Sequence, residues 1–165
     1  MRDGPFNLQW DLVFEDLVYV LFAFALALPI GWERGRGRDS VGFRTLPIVA
    51  MAACGFALVI KMVPGSTAEA QARVLQGIIT GIGFVGGGAI VKNGASVRGL
   101  VTAASIWNAG AIGVAIGYTR LNIAIVLSVI NLLSLWALSP IAEHLEPERG
   151  SEKRSREGGA SAGPE

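Results

Sequence analysis

The sequence predicts an all-α integral membrane protein: a bundle of about five transmembrane helices, N-terminus outside and C-terminus inside, followed by a disordered tail. Three observations predict it. Apolar residues are 52% of the 165 and charged residues only 16%, and the apolar ones gather in five blocks separated by charge. No Asp or Glu occurs from Ala70 to Ala142, as suits segments in lipid, where a carboxylate is expensive. The basic residues also fall unequally on the two sides that five crossings define, the asymmetry that sets orientation. With the N-terminus outside, Arg34, Arg36, Arg38, Arg44, Lys92, Arg98, Arg149, Lys153, Arg154 and Arg156 lie inside, against Arg2, Lys61, Arg73 and Arg120 outside.

The first block, Leu12 to Trp32, is bracketed by Trp10 and Trp32 as interfacial aromatic belts bracket a span. Glu15 and Asp16 belong near an interface, and Pro29 is expected to kink the last turn. The second runs from about Arg44 to Val63, with Pro47 near its start and Lys61 placed to snorkel to the headgroups. The third is Val74 to Val91, the fourth Leu100 to Tyr118, and the fifth Leu121 to Ala142, stopped around Pro140. Each approaches the ~20 residues that cross about 30 Å of hydrocarbon. Thr119-Arg120 joins the last two as a tight antiparallel hairpin. The domain expectation is therefore a membrane domain over 1–142 and a polar cytoplasmic tail over 143–165, too poor in apolar residues to bury a core. The N-terminal residues MRDGPFNLQWD carry acids ahead of any apolar run, so no cleavable signal peptide is expected.

The centre of the chain is residues 76–110. Gly81-Ile-Gly83-Phe-Val-Gly86 spells G-x-G-x-x-G, but a dinucleotide site needs an acid about 20 residues on, and the acid-free span excludes it. Helical spacing is the better reading. Gly77 with Gly81, and Gly83 with Gly87, each put two side-chain-free positions on one helix face, where another backbone can come close in a membrane. Gly86, Gly87 and Gly88 together also permit local unwinding. Ala109, Gly113 and Gly117 supply a second small-residue face.

Charged and polar candidates cluster at helix ends. In the first inside loop, Glu33 stands among Arg34, Arg36, Arg38 and Arg44. It serves either as one stabilising ion pair or as an anchor, held by Arg44 or Arg98, tying this loop to the central one. In the central loop, Asn93-Gly94 signals a turn, and Arg98 is expected at the start of the fourth helix, where the dipole disfavours a cation unless an acceptor such as Glu33 or a lipid phosphate relieves it. Thr102, Ser105 and Asn108, then Ser128, Asn131 and Ser134, recur every third position in the last two helices, for interhelical hydrogen bonds or for a polar path. Cys54 has no intrachain partner, and His144 is isolated in the tail. The acids before the tail sit near interfaces, no Ser/His/Asp set or phosphate-binding lysine loop occurs, and the net charge is +1. No enzyme, metal, cofactor or nucleic-acid partner is expected.

Two stretches resemble a known family. Gly31-x-Glu33-Arg34 with Gly42-Phe43-Arg44-Thr45 resembles the first motif of the MgtC/SapB membrane proteins. Gln76 through Gly88, then Val97-Arg98-Gly99-Leu100 and Thr102-Ala103-Ala104-Ser105-Ile106-Trp107, resembles the second. The resemblance covers roughly 20–140 and implies a bacterial inner-membrane protein with five transmembrane helices, linked to growth or survival at low magnesium and, in intracellular pathogens, to virulence. It also implies restraint of the membrane ATP synthase by binding rather than magnesium carriage. It adds Thr45 and Trp107 to Glu33, Arg34, Arg44, Arg98, Thr102 and Asn108 as candidate functional residues. The chain departs from the virulence member at Val101, where that protein has asparagine, at Asn108, where it has cysteine, and in carrying a polar tail where that protein has a folded soluble domain.

Three functions stay open on these residues: a regulator that packs a small-residue face on a partner's transmembrane helix, a magnesium or other cation transporter or channel acting as a homo-oligomer, and a lipid-organising protein.

Overall fold

The computed structural model describes residues 9–36, 42–93 and 96–145. The expectations for Arg38, for the Gly94 turn and for the tail from 146 lie outside the described residues. Five helices follow in order: α1 (Trp10–Gly35), α2 (Gly42–Met62), α3 (Ala68–Gly88), α4 (Leu100–Gly117) and α5 (Leu121–Leu145). Between α3 and α4 lie β1 (Val91–Asn93) and β2 (Ser96–Arg98), paired antiparallel with Val91 opposite Arg98.

α1, α2, α4 and α5 are long and apolar enough to cross a membrane. α3 matches α2 in length but is more polar at its start. It begins at Ala68 rather than Val74 because Ala, Glu, Gln and Arg favour helix without being apolar. The Thr67 hydroxyl caps it by accepting from the Ala70 N–H at 3.1 Å. Arg73 meets Glu69 one turn earlier at 2.6 Å. The helix then continues through Gly88, so the expected unwinding at Gly86–Gly88 does not occur. It ends where the Ala89 and Ile90 N–H groups turn back to the Gly86 and Gly87 carbonyls. Pro140 does not stop α5, which runs to Leu145, since an interior proline removes one hydrogen bond without having to end a helix.

The chain divides into two compact units, one ending at Leu132 and the other beginning at Leu133; the second contains the last turns of α5. In the first unit α2 and α4 are central, each lying against α1 and α3 and against one another. Small residues build this core: Ala23, Ala27, Ala50, Ala53, Ala57 and Ala109 are buried, with Ile30, Leu46, Ile106, Ile112 and Ile116 between them. Large apolar side chains lie outward instead, among them Phe14, Phe22, Phe56 and Phe84. Small inside and large outside is how helices pack in lipid, where contact rather than exclusion from water drives association.

Close approach is concentrated on α4. A Cβ at Gly113 would run into the Ala50 carbonyl oxygen of α2, and one at Gly117 would lie 2.5 Å from Ala57 Cβ and 2.9 Å from the Cys54 oxygen. The second small-residue face thus packs on α2. The first does not behave alike: a Cβ at Gly86 would lie 3.2 Å from the Ala103 carbonyl oxygen, but one at Gly77, Gly81, Gly83, Gly87 or Gly88 would meet nothing within 4 Å. α1 and α2 close at Gly31, where an added Cβ would lie 3.1 Å from the Gly42 and Phe43 oxygens. Pro47 has no N–H to give the Phe43 carbonyl.

Candidate functional site

Of the predicted residues, Glu33, Arg34, Arg44, Thr45 and Thr102 lie where α1 ends and α2 and α4 begin. α1 runs past Trp32 to Gly35, placing Glu33, Arg34 and Arg36 on its last turn and the residue after it. The Gly42 backbone comes so close to Arg34 that a Cβ there would be 2.5 Å from Arg34 Cβ. This contact directs the Arg34 side chain toward α4, where its Nη2 donates to Thr102 Oγ1 at 2.7 Å. Thr102 is buried. The Arg34 Nε is buried without a partner. The structure thus brings together two candidates, Arg34 and Thr102, that are 68 positions apart in the chain. It supplies the guanidinium with a hydroxyl instead of a carboxylate.

Glu33 takes a different partner from either one expected. Its carboxylate lies 3.7 Å from Arg36 Nη1, one turn on, and among the described residues neither Arg44 nor Arg98 pairs with it. Arg36 also stands over the Trp32 ring, 5.7 Å from its centroid, and Trp32 meets Phe43 edge to face at 5.6 Å. Arg44 is exposed in the first turn of α2, and Thr45 is half-buried behind it. Arg36 supplies the partner for the ion-pair reading of Glu33 in place of the anchor, with their i, i+3 spacing as the signal, and the Trp32–Phe43 contact is not singled out in the sequence.

Arg98 belongs to β2 and is exposed, not at the head of α4. Gly99 separates them, with φ +87, and a Cβ there would strike the Ala89 carbonyl oxygen, so only glycine fits this join. Of the polar triads, Asn108 Nδ2 donates to the Leu127 carbonyl at 3.4 Å and Ser128 Oγ to the Leu26 carbonyl at 2.7 Å. Both tie α5 to neighbouring helices, and the first requires α5 to fold back along α4. Trp107 is half exposed and lines an apolar groove of about 310 Å³ with Ile78, Ile82, Gly110 and Leu127.

Comparison with known proteins places this arrangement in context. The MgtC family matches residues 20–144. Protein MgtC of Brucella abortus (strain 2308) is 38% identical over 124 residues, 75% of this chain and 51% of that protein. Protein MgtC of Salmonella typhimurium (strain LT2) is 33% identical over 134 residues, 81% of this chain and 57% of that protein. An uncharacterized protein of Synechocystis sp. is 34% identical over 135 residues, 82% of this chain and 56% of its own length. The chain therefore spans about half the length of the curated relatives it matches. No solved structure matches it. With both motifs inside the matched residues, the chain belongs to the MgtC family.

Proposed function

We propose that this chain is a non-enzymatic regulator in the bacterial inner membrane, N-terminus outside and C-terminus inside, that packs the glycine face of α3 against a transmembrane helix of a partner protein during adaptation to low magnesium. One observation carries the reading. A Cβ at Gly77, Gly81, Gly83, Gly87 or Gly88 would meet nothing within 4 Å, whereas one at Gly110, Gly113 or Gly117 on α4 would run into neighbours in the same chain. A side-chain-free helix face in lipid is suited to another backbone. Beside Gly77 and Gly81 an apolar groove of about 560 Å³ opens between α3 and α2, walled by Val49, Ala52 and Phe56. The family points to two partner candidates, the ATP synthase and a magnesium transport system.

ATP-driven proton pumping in inverted membrane vesicles, with and without the protein at matched synthase content, tests the reading. Slower pumping with no faster proton leak after ATP is exhausted supports action on the synthase. Unchanged pumping removes the synthase and moves the test to magnesium flux in proteoliposomes, which also decides the transporter alternative. That alternative has lost two of its supports: α3 is helical through Gly88, and Asn108 and Ser128 are engaged between helices.

A further inference from the structure

At the junction of α1 and α2 lies a groove of about 540 Å³ lined by Trp32, Gly35, Arg36, Phe43 and Arg44. Two of the five described residues that line it are cations. Among the described residues, Arg36 has only the long 3.7 Å contact to Glu33, with most of its side chain exposed, and Arg44 has no ion pair. Arg44 sits in the first turn of α2, a turn without an acid, where the helix dipole adds to the positive potential. The other walls are aromatic. Trp32 and Phe43 hold each other edge to face, and Arg36 lies over the indole. Trp32 marks the level of the membrane interface, and exposed apolar residues such as Ile48 and Phe24 continue from the groove along the helices.

We propose that this groove binds the phosphate of an anionic glycerophospholipid, with Arg36 and Arg44 on the phosphate oxygens and the acyl chains along the exposed apolar faces of α1 and α2. The chemistry favours this occupant over a soluble one. Guanidinium groups match phosphate geometry, basic pockets between membrane helices suit lipid headgroups, and the aromatic floor with an apolar continuation fits the glycerol and chains that a free phosphate lacks. The proposal is independent of the α3 reading and concerns a different face.

The test is native mass spectrometry of the full chain in neutral detergent. Dioleoylphosphatidylglycerol is titrated against dioleoylphosphatidylcholine, with inorganic phosphate as a separate competitor. The expected result is severalfold preferential retention of phosphatidylglycerol, undisturbed by millimolar phosphate. Arg36→Gln and Arg44→Gln should each weaken it about fivefold, since each basic residue near an anionic surface is worth about a factor of five. Arg98→Gln, equally basic but outside the groove, should leave it unchanged. Arg36→Lys with Arg44→Lys preserves charge and fold, and should restore part of the retention lost in the double glutamine variant. Equal retention of the two lipids, or an equal loss with Arg98→Gln, overturns the proposal, because the charge then acts diffusely. Displacement by phosphate alone reassigns the groove to a soluble anion and overturns the lipid source.

Discussion

Gly113→Ala adds one methyl where α4 crosses α2, and the structure allows its cost to be worked out. The new carbon would press into the Ala50 carbonyl oxygen, with the Ala50 carbonyl carbon at 2.9 Å and Ala53 Cβ at 3.0 Å. These neighbours are backbone and a buried alanine, with no flexible tip to swing aside. Ordinary contact begins near 3.4 Å, so the helices must part by about half an ångström or more. A gap of about 0.5–1 Å forfeits a quarter to a half of each ~0.1–0.2 kcal/mol atom-pair contact, or about 1–2 kcal/mol over roughly thirty pairs along the seam. Residual strain of an overpacked site adds about 1–3 kcal/mol. The expected destabilisation is therefore about 3 kcal/mol, on the order of a hundredfold in the folding equilibrium. Reversible unfolding in mixed micelles of SDS and a mild detergent, followed by far-UV circular dichroism, measures it. Gly117→Ala should behave alike, whereas Gly81→Ala, which meets open space, should stay within about 0.5 kcal/mol of the parent chain. A Gly113→Ala protein that unfolds at the parent's SDS fraction would refute the close α2–α4 approach.

Other outcomes follow from single contacts. Thr102→Val deletes the acceptor of Arg34 and leaves another donor of a half-buried guanidinium unmatched, so it should cost about 2 kcal/mol in the same unfolding assay; Arg34→Met with Thr102→Val, which removes both partners, should cost less than Thr102→Val alone. Ser128→Ala breaks the 2.7 Å bond to Leu26 and should cost about 0.6 kcal/mol, the average for such bonds in a membrane, with Asn108→Ala below it because its bond is 3.4 Å long. Thr119 holds φ 58 at the end of α4, a left-handed conformation costly for a β-branched residue. Thr119→Gly should raise stability by about 1 kcal/mol, and an unchanged or lower unfolding midpoint would show the hydroxyl bond to the Tyr118 carbonyl outweighing the strain. Gly81→Leu and Gly87→Leu should leave the monomer's helicity and unfolding intact while abolishing partner capture in crosslinked membranes; capture at parental levels would turn these faces toward lipid.

Helix existence was readable because apolar runs broken by charge are a long-range signal that survives errors in any single residue. Helix ends were less readable, since apolarity marks what lies in lipid and not where hydrogen bonding begins: α3 starts six residues before Val74 on a threonine cap and good helix formers. The β1–β2 hairpin was seen only as a turn at Asn93-Gly94, because three-residue strands are too short to show alternation. That hairpin is what moves Arg98 off α4. For the candidate site, glycine spacing revealed small faces but not their direction. Of the glycines in α3 only Gly86 has a neighbour where a Cβ would point, and the filled face belongs to α4. Charge counting likewise could not choose a partner for Glu33, and proximity on one helix selected Arg36. The Arg34–Thr102 bond depends on how α1, α2 and α4 converge, a tertiary fact with no local signature.

α3 has a consequence for the bilayer around it. Its apolar part, Val74 to Gly88, extends only about 22 Å at 1.5 Å per residue, some 8 Å short of a typical hydrocarbon core of about 30 Å. Ahead of it come Gln71 and Arg73, the latter paired to Glu69 and exposed. Lipid beside α3 must shorten to meet these polar turns, at a fraction of a kcal/mol per ångström of mismatch. The longer α1 and α5 impose no such demand, so a bilayer that α3 crosses is expected to dimple beside it. A neighbouring helix that is itself short would relieve the dimple by settling there, and bilayer thickness becomes a variable in what gathers beside this protein.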